Sequence, residues 1–563
     1  MIYRSLGFAA AAALVLACGC HQANTPVATN SPATGPEAAR AANQEFLTRS
    51  AFDPWVLRSG TSSSIPAYLA DGHTGYLIGP RGVPTQKLVA GLYKGDRLQA
   101  QPLPAGIAGA TADGAQTLDL RTGTLTTKSA AGDVTFQASE FHPRDWVHLW
   151  DTSDIVISGD PEAQQVTHTQ LFSLLSSTTP GSDHSIPPMG LSSTTYLGHI
   201  FWDADSWMFP ALIAQHPDDA RTVVAYRFKR LKQAMANARA HNFLGAEYPW
   251  ESAETGSEVA PAEFARERHI TADVAYAAWQ YYLWSGDLSY LKTEGFPILK
   301  ATADYWTARA TRDPDGTYHV RKVVPPDETA GLVDDDSYTN AAARYNLNAA
   351  EMAAKLVGTT ANPAWAQVAA KLVIPQDTAR GIPSEHEGPQ SDRMGAKQAD
   401  ALLMIWPLGV QYDKATSEKM LDFYSTHTIK TGPAMTAGIH AVVAARLGKA
   451  DDALAFYRDS YRPFMRGAWD AFSEKRTTNA VYFLTGMAAS VQAVLYGFGG
   501  LEAHPAGQPA SGTKIAGDSV ASLYCDPHLP PGWTGLTIKG VRFRGKTLDV
   551  VISQDNKLQT IIH

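Results

Sequence analysis

Apolar residues recur at helical spacing through the middle of the chain, from about residue 200 to about residue 498. In one segment Ile270, Val274 and Ala277 stand four and then three residues apart, which places them on one face of a helix. We count about eleven or twelve such segments, separated by short breaks. Because no strand patterns alternate with them, an all-helical region is favoured over a β-α-β architecture. No fixed-period repeat indicates a solenoid, so a closed (α/α)6 barrel is the predicted fold.

Both flanks of this region show the pattern of strands instead. Between residues 46 and 180, glycine-rich turns separate short apolar runs, and residues 117–121 alternate polar with apolar. After residue 500 alternating runs and Gly/Pro turns return. The sequence therefore predicts a multidomain, mainly α protein: an N-terminal β-sandwich at 46–180, an (α/α)6 barrel at 181–500 and a C-terminal β-domain at 501–563.

The first residues have the pattern of an export signal. Arg4 precedes an apolar run that is too short to span a bilayer, and residues 1–20 end in two cysteines. The residues before Cys18 resemble a bacterial lipobox, in which Cys18 would be lipidated; an ordinary signal peptide cut nearby is the alternative. Residues 21–45 are rich in Ala, Pro, Thr and Ser and are predicted to form a flexible tether. We expect an exported protein, periplasmic or anchored to a membrane by lipid.

Composition excludes several classes of protein. The chain has 563 residues, a formal net charge of −8 and no basic cluster, so a nucleic-acid partner is not expected. With three cysteines, two of them at the signal junction, a disulfide framework is not expected. No His, Asp and Cys set has the spacing of metal ligands, and neither a metal nor a cofactor is predicted. The sequence does not indicate an oligomeric state.

Five clusters combine carboxylates with aromatic or amide side chains, which is the mixture that sugar cleavage requires. A carboxylic acid protonates the leaving oxygen and a second carboxylate activates water or attacks directly, while aromatic rings pack against the sugar. Each cluster alone has a structural interpretation: a core tryptophan, a Pro-Asp turn, an i,i+3 pair on a helix surface or a solvated charge run. The clusters are Phe201-Trp202-Asp203, Tyr248-Pro249-Trp250-Glu251-Ser252, Pro326-Asp327-Glu328, Lys397-Gln398-Ala399-Asp400 and Phe472-Ser473-Glu474-Lys475.

Taken together, in this order and spacing, the clusters resemble glycoside hydrolase family 65, which contains disaccharide phosphorylases and α-glucoside hydrolases. The resemblance covers about residues 150–500. It implies an N-terminal β-sandwich, an (α/α)6 catalytic barrel and a small C-terminal β-sheet. It also implies roles for individual residues: Glu328 as general acid, and a glucose-binding group formed by Trp202, Asp203, Lys397 and Gln398, with Trp250 and Glu251 lining the same pocket.

The fifth cluster distinguishes hydrolysis from phosphorolysis. In the family's phosphorylases this place is a Ser/Thr-rich phosphate loop, whereas here Glu474 would repel phosphate and could deprotonate water, as in the family's hydrolases. Lys475, Arg476 and two threonines leave phosphate binding conceivable. We expect an inverting α-glucosidase acting on a kojibiose, glucosyl-galactose or trehalose type of glucoside, with Glu328 as acid and Glu474 as base. The alternatives are a disaccharide phosphorylase and a non-catalytic glycan-binding lipoprotein.

Overall fold

The computed structural model describes residues 35–61, 64–104, 109–138, 144–388, 395–398 and 400–563. Cys18 and the export signal lie outside these residues. In the described part of the chain no helix is both long and apolar enough to cross a membrane.

The α-helices are α1 Pro36–Leu47, α2 Trp146–Thr152, α3 Pro161–Ser176, α4 Phe209–Ile213, α5 Pro217–Lys229, α6 Leu231–Ala240, α7 Ile270–Ser285, α8 Leu288–Tyr290, α9 Phe296–Arg309, α10 Ser337–Leu356, α11 Pro363–Lys371, α12 Asp400–Ile405, α13 Lys414–His427, α14 Thr436–Arg446, α15 Ala450–Tyr461 and α16 Leu484–Gln492.

Three π-helical segments extend this set. Ala204–Met208 leads into α4, Leu291–Gly295 leads into α9, and Ala493–Phe498 continues α16. The strands are β1 Val56–Ser59, β2 Ala67–Ala70, β3 Thr74–Ile78, β4 Pro84–Lys94, β5 Arg97–Ala100, β6 Gln116–Asp119, β7 Thr124–Thr127, β8 Val134–Gln137, β9 Ile155–Ser158, β10 Thr311–Arg312, β11 Tyr318–His319, β12 Gln376–Asp377, β13 Ile382–Pro383, β14 Met465–Arg466, β15 Ala471–Phe472, β16 Leu501–Pro505, β17 Thr513–Gly517, β18 Ala521–Cys525, β19 Gly535–Phe543, β20 Lys546–Ser553 and β21 Leu558–Ile562.

The N-terminal region forms two antiparallel four-stranded sheets, in the orders β1-β6-β7-β8 and β2-β3-β4-β5. In β6 the predicted alternation is present, with Leu118 buried and its neighbours Thr117 and Asp119 partly exposed. Contacts between the sheets include the rings of Tyr76 and Phe136, whose centroids are 5.2 Å apart. Apolar side chains thus join the two sheets, as the strand pattern of this region requires.

The helices between residues 200 and 498 pack in a closed sequence of contacts. The segment formed by Ala204–Met208 and α4 contacts α7, α7 contacts α10, and α10 contacts α12. In turn α12 contacts α14, α14 contacts α16, and α16 returns to Ala204–Met208. Helices α5, α9, α11, α13 and α15 each pack against members of this ring. Nearly every side chain of α7 is buried, since it lies inside a layer of other helices.

Local sequence signals set the ends of the ring helices. The Asp336 side chain caps α10 by accepting a hydrogen bond of 2.7 Å from the backbone N–H of Thr339. Helix α7 ends at Gly286, whose φ of 70° places it in the left-handed region that favours glycine. The start of α10 and the end of α7 are therefore set by local residues.

Three boundaries differ from those expected. Helix α1 begins at Pro36, inside residues 21–45, because Ala39, Ala42 and Phe46 bury one face and the Asn43 amide donates to the carbonyl of Arg462 at 2.7 Å. Helix α3 lies before residue 180 but packs against α16 of the helical region. Strand β9 pairs with β19 and belongs to the C-terminal sheet β21-β20-β19-β9. Short local patterns identify elements, but the partner of each element depends on contacts distant in sequence.

Candidate active site

The predicted site residues lie in loops that precede ring helices. Trp202 and Asp203 stand directly before Ala204–Met208, and Lys397 stands shortly before α12. Glu328 lies in the loop that leads to α10, and Glu474 lies between β15 and α16. Hydrogen bonds and electrostatic interactions link these loops to one another.

The loop that carries Glu328 is fastened to the loop that carries Lys397. The backbone N–H of Asp327 donates to the Asp400 carboxylate at 3.0 Å, and the backbone N–H of Lys397 donates to Oδ1 of Asp327 at 2.7 Å. The Lys397 ammonium donates to Oε1 of Glu328. Asp400 is buried and begins α12, so the interpretation of Lys397 and Asp400 as a surface pair is wrong. Two of the predicted clusters therefore form one interlocked unit.

Asp203 is a buried carboxylate held by the neighbouring ring helix α16. The Thr485 hydroxyl of α16 donates to its Oδ2 at 2.6 Å. Burial raises the pKa of Asp203 to about 6, a rise that the Glu474 charge reinforces and that Thr485 and Lys397 oppose. The carboxylate is thus ionised above about pH 6 and can accept hydrogen bonds from sugar hydroxyl groups.

Trp202 is fixed by edge-to-face ring contacts. Its ring centroid lies 4.4 Å from that of Trp207 and 4.5 Å from that of His269, with interplanar angles of 86° and 69°. Tyr338 lies 6.0 Å away. Such packing holds the indole in one orientation, which is what a platform for a sugar ring requires.

Glu474 stands at the start of a braced loop. Its backbone N–H donates to the carbonyl of Ala480 at 3.1 Å, and its carbonyl accepts from the backbone N–H of Ala434 at 2.9 Å. The buried guanidinium of Arg466 donates to the carbonyls of the loop residues Lys475, Arg476 and Thr478, at 2.9, 2.9 and 3.1 Å. The side chain of Glu474 is 12% exposed and lies 4.0 Å from the Lys475 ammonium. The loop backbone, and with it the carboxylate, is held from inside the protein.

Lys397 links these groups electrostatically. Its neighbours Glu328, Glu267 and Glu474 all raise its pKa, with Glu328 contributing most, although burial opposes them. Lys397 also lowers the pKa of Asp203. One ammonium group therefore lies within the fields of four carboxyl groups, three of which the sequence had placed in the site.

The remaining predicted residues adjoin this cluster. Trp250 makes an edge contact with Phe201 at 5.2 Å and stacks on Phe264 at 5.1 Å. Oε1 of Glu251 lies 2.7 Å from Nδ1 of His199, whose other nitrogen contacts the carbonyl of Asp96 in the turn between β4 and β5. This contact brings the N-terminal sheets to the edge of the site. Gln398 is buried beside Lys397.

A row of buried titratable groups that none of the five sequence clusters predicted lies beside Trp202. His269 lies between Glu267, 3.1 Å from its Nε2, and Asp273, 2.7 Å from its Nδ1, and the Tyr338 hydroxyl donates to Asp273 at 2.7 Å. The two acids raise the pKa of His269 to about 9 against the effect of burial. Burial raises the pKa of Glu267 to about 8. The signal in the sequence was a His-Asp pair four residues apart at the start of a helix.

One group of side chains away from this cluster has the composition of a cation site. Ligand atoms of His319, Asp335 and Glu387 lie within 4.8 Å of one another. Nδ1 of His319 lies 2.6 Å from Asp335, which also accepts from the backbone N–H of Val320 at 2.9 Å. Because hydrogen bonds account for the positions of His319 and Asp335, and Glu387 is exposed, the group gives no reason to assign a metal.

Comparison with known proteins identifies the family. The model of the glycosyl hydrolase family 65 central catalytic domain matches residues 168–394 and 390–492, and that of the family's C-terminal domain matches residues 521–557. A kojibiose hydrolase of Mucilaginibacter mallensis is 40% identical over 413 residues, which are 72% of this chain and 58% of that protein. A protein-glucosylgalactosylhydroxylysine glucosidase of Gallus gallus is 34% identical over 431 residues, 74% of this chain and 58% of that protein.

A solved structure shows the same fold over most of the chain. A protein from the human microbiome, assigned as a kojibiose phosphorylase, superposes with a TM-score of 0.71 at 15% identity and covers 91% of this chain and 96% of its own. The chain spans 58% of the length of each of the two relatives named above. The resemblance in the sequence motifs is confirmed: this chain belongs to glycosyl hydrolase family 65.

Proposed function

We propose that the chain is an exported, inverting α-glucosidase that hydrolyses a short α-linked glucoside and releases β-glucose. The observation that carries the proposal is the convergence of Asp203, Glu328 and Glu474 around Lys397, from four separate loops. Two carboxyl groups of distinct environment beside a buried tryptophan supply the acid, the base and the sugar platform of such a reaction. The names of the relatives, kojibiose hydrolase and glucosylgalactosylhydroxylysine glucosidase, favour an α-linked glucoside as substrate.

In the proposed mechanism, Asp203, Lys397 and Gln398 hold the hydroxyl groups of the glucose unit, and Trp202 supports its ring. Glu328 donates its proton to the glycosidic oxygen as the bond from that oxygen to the anomeric carbon breaks. Glu474 takes a proton from a water molecule, whose oxygen forms the new bond on the opposite face of the sugar. The water oxygen thus becomes the anomeric hydroxyl of β-glucose, and Glu328 is left as a carboxylate.

The contacts of the Glu474 loop favour water over phosphate as the nucleophile. The Ser473 hydroxyl donates within the loop to the carbonyl of Thr478 at 2.7 Å, and the Arg476 guanidinium pairs with Asp459 at 2.7 Å. These groups, which could have bound phosphate, are engaged elsewhere. Glu474 adds a carboxylate that would repel a phosphate dianion.

We also propose the closed (α/α)6 barrel as the architecture of the helical region. The support for this proposal is the ring of helix contacts, which closes where α16 contacts Ala204–Met208. Helix α3 packs against α16 and would be the outer partner of this last ring helix. The two N-terminal sheets would form the sandwich. Export, with lipidation at Cys18 as the anchor, is proposed from the N-terminal sequence alone.

The test is to follow the anomeric proton signals by NMR while the protein acts on α-linked glucose disaccharides, with and without phosphate. Early β-glucose that forms without phosphate is the expected result. Formation of glucose 1-phosphate that depends on phosphate would show that the reaction is phosphorolysis and not hydrolysis. Early α-glucose would show that the anomeric configuration is retained. A protein that turns over no disaccharide in a panel of α-1,1, α-1,2, α-1,3 and α-1,4 linkages would contradict the proposal and favour glycan binding without catalysis.

A further inference from the structure

Glu267 is a buried carboxyl group next to the catalytic loops that the proposed mechanism does not use. Its residue is 1% exposed, and among the described residues its Oε1 has no hydrogen-bond partner. Its backbone forms a bridge with Val324, and the backbone N–H of Val324 donates to the carbonyl of Arg266 at 3.1 Å. Because Val324 begins the segment that carries Glu328, this bridge ties Glu267 to the loop of the general acid.

His269 and four further charged groups surround Glu267 or face His269 itself. His269 contacts Oε2 of Glu267, Glu328 faces it from the acid loop, and Lys397 faces it from the segment before α12. Behind His269 lie Asp273 on α7 and Asp336 at the start of α10. Burial outweighs the two cations, and the pKa of Glu267 is raised to about 8. Glu267 is therefore neutral at pH values where Asp203 is already ionised.

One oxygen of the Glu267 carboxyl group has no hydrogen-bond partner among the described residues. The Asp273 carboxylate beside Nδ1 favours the imidazolium form of His269, whose Nε2 then donates to Oε2 of Glu267. Oε1 has no partner in this part of the chain, so a charge on this buried carboxyl group would leave one oxygen without a donor. An ionised Glu267 would place a full negative charge near Lys397 and would compete with the hydroxyl groups of the sugar for its ammonium.

We propose that Glu267 is a positioning residue of the glucose-binding site, which acts as a neutral carboxylic acid and so leaves the Lys397 ammonium to Glu328 and to the hydroxyl groups of the sugar. This inference rests on the proposed glucose subsite, but it does not require that the reaction be hydrolysis. It predicts that ionisation of Glu267 weakens the binding of glucose through Lys397.

The test measures the dissociation constant of glucose by calorimetry at pH 7 and pH 9, in the wild-type protein and in Glu267→Gln. If only the neutral form of Glu267 binds well, the wild-type dissociation constant should rise about tenfold between these pH values. The amide imitates the neutral acid, so Glu267→Gln should bind glucose as the wild type does at pH 7. Its dissociation constant should change by less than about twofold between pH 7 and pH 9. The matched control is Asp154→Asn, which changes another buried carboxyl beside a histidine, 2.9 Å from His168 and outside this cluster. The dissociation constant of Asp154→Asn for glucose should rise between pH 7 and pH 9 as that of the wild type does.

Any of three results would contradict the proposal. The first is a wild-type dissociation constant that is the same at pH 7 and pH 9. The others are a dissociation constant of Glu267→Gln that rises with pH as that of the wild type does, or one that is already more than about tenfold higher than that of the wild type at pH 7. Glucose binding does not depend on turnover, so failure of the hydrolysis experiment and failure of this one are distinguishable.

Discussion

The Thr485 hydroxyl donates a hydrogen bond of 2.6 Å to Oδ2 of Asp203, across 282 residues of sequence. This bond favours the ionised carboxylate against burial, which raises the pKa of Asp203 to about 6. Asp203 and Thr485 therefore form one unit, in which α16 keeps a buried acid charged near neutral pH.

Thr485→Val should move the acidic limb of the activity profile to higher pH. The lost hydrogen bond raises the pKa of Asp203 further, so less of the carboxylate is ionised at pH 6 and kcat/KM falls there, while at pH 8 the loss should be small. Measurement of kcat/KM from pH 5 to pH 9 checks the shift. Thr485→Ser keeps the hydroxyl group, and its pH profile should follow that of the wild type. An equal shift of the acidic limb in both variants would contradict the role of the Thr485 hydroxyl.

Asp203→Asn should stabilise the protein at neutral pH while removing its activity. Since the pKa of Asp203 is raised in the folded protein, its stabilising effect is present below about pH 4 and is lost as the pH rises through about 6. The loss corresponds to about 2–3 kcal/mol, and the amide avoids it. Thermal unfolding at pH 4.5 and 7.5 should show a stability gain for Asp203→Asn only at the higher pH.

Asp205→Asn provides the contrast two residues away. Asp205 is also buried and burial raises its pKa to about 6, as for Asp203, but its carboxylate pairs with the buried Arg227. Removing its charge leaves the guanidinium unpaired and should cost about 3–5 kcal/mol. If both variants changed stability in the same direction at pH 7.5, the distinction drawn between the two carboxylates would be wrong.

Arg466→Met should lower kcat at least about tenfold, because the guanidinium holds three carbonyls of the Glu474 loop and misplacing a catalytic group slows the chemical step. Glucose affinity should change little, since Trp202 and Asp203 lie on another loop. Arg476→Ala is the matched control: that side chain pairs with Asp459, and its loss should leave kcat within about twofold, as is usual for a partly exposed ion pair. Equal losses in both variants would contradict the bracing role.

The sequence could predict the types of element and the clusters of candidate site residues, because each depends on residues near in the chain. Helix α7 follows from its apolar spacing and Gly286, and Glu328 was recognised in a local motif. The contact between Lys397 and Glu328 joins residues 69 positions apart, and no local pattern encodes such a distance. Glu267 was missed for the same reason, since its burial and its raised pKa are produced by elements distant in sequence.

The partners of whole elements were the least predictable feature. Strand β9 has the apolar run of any buried strand, but its pairing with β19 depends on a segment near the far end of the chain. Helix α1 was hidden by an Ala- and Pro-rich composition that is typical of tethers, although Asn43 and Phe46 fasten it to the folded protein. The composition of a segment indicates how much apolar surface it can bury by itself. It does not indicate how much it can bury by packing against a neighbouring surface of the protein.

Glu328→Gln and Glu474→Gln should respond in opposite ways to the leaving group of the substrate. Protonation by an acid contributes about 10²–10⁴-fold, so Glu328→Gln should lose that factor on kojibiose. α-Glucosyl fluoride has a leaving group that needs far less assistance, and on it Glu328→Gln should remain within about tenfold of the wild type. Glu474→Gln lacks the base for water and should be impaired on both substrates. Initial rates on the two substrates check this pattern. If Glu328→Gln lost activity equally on both, or if Glu474→Gln alone recovered on the fluoride, the two roles would have to be exchanged or abandoned.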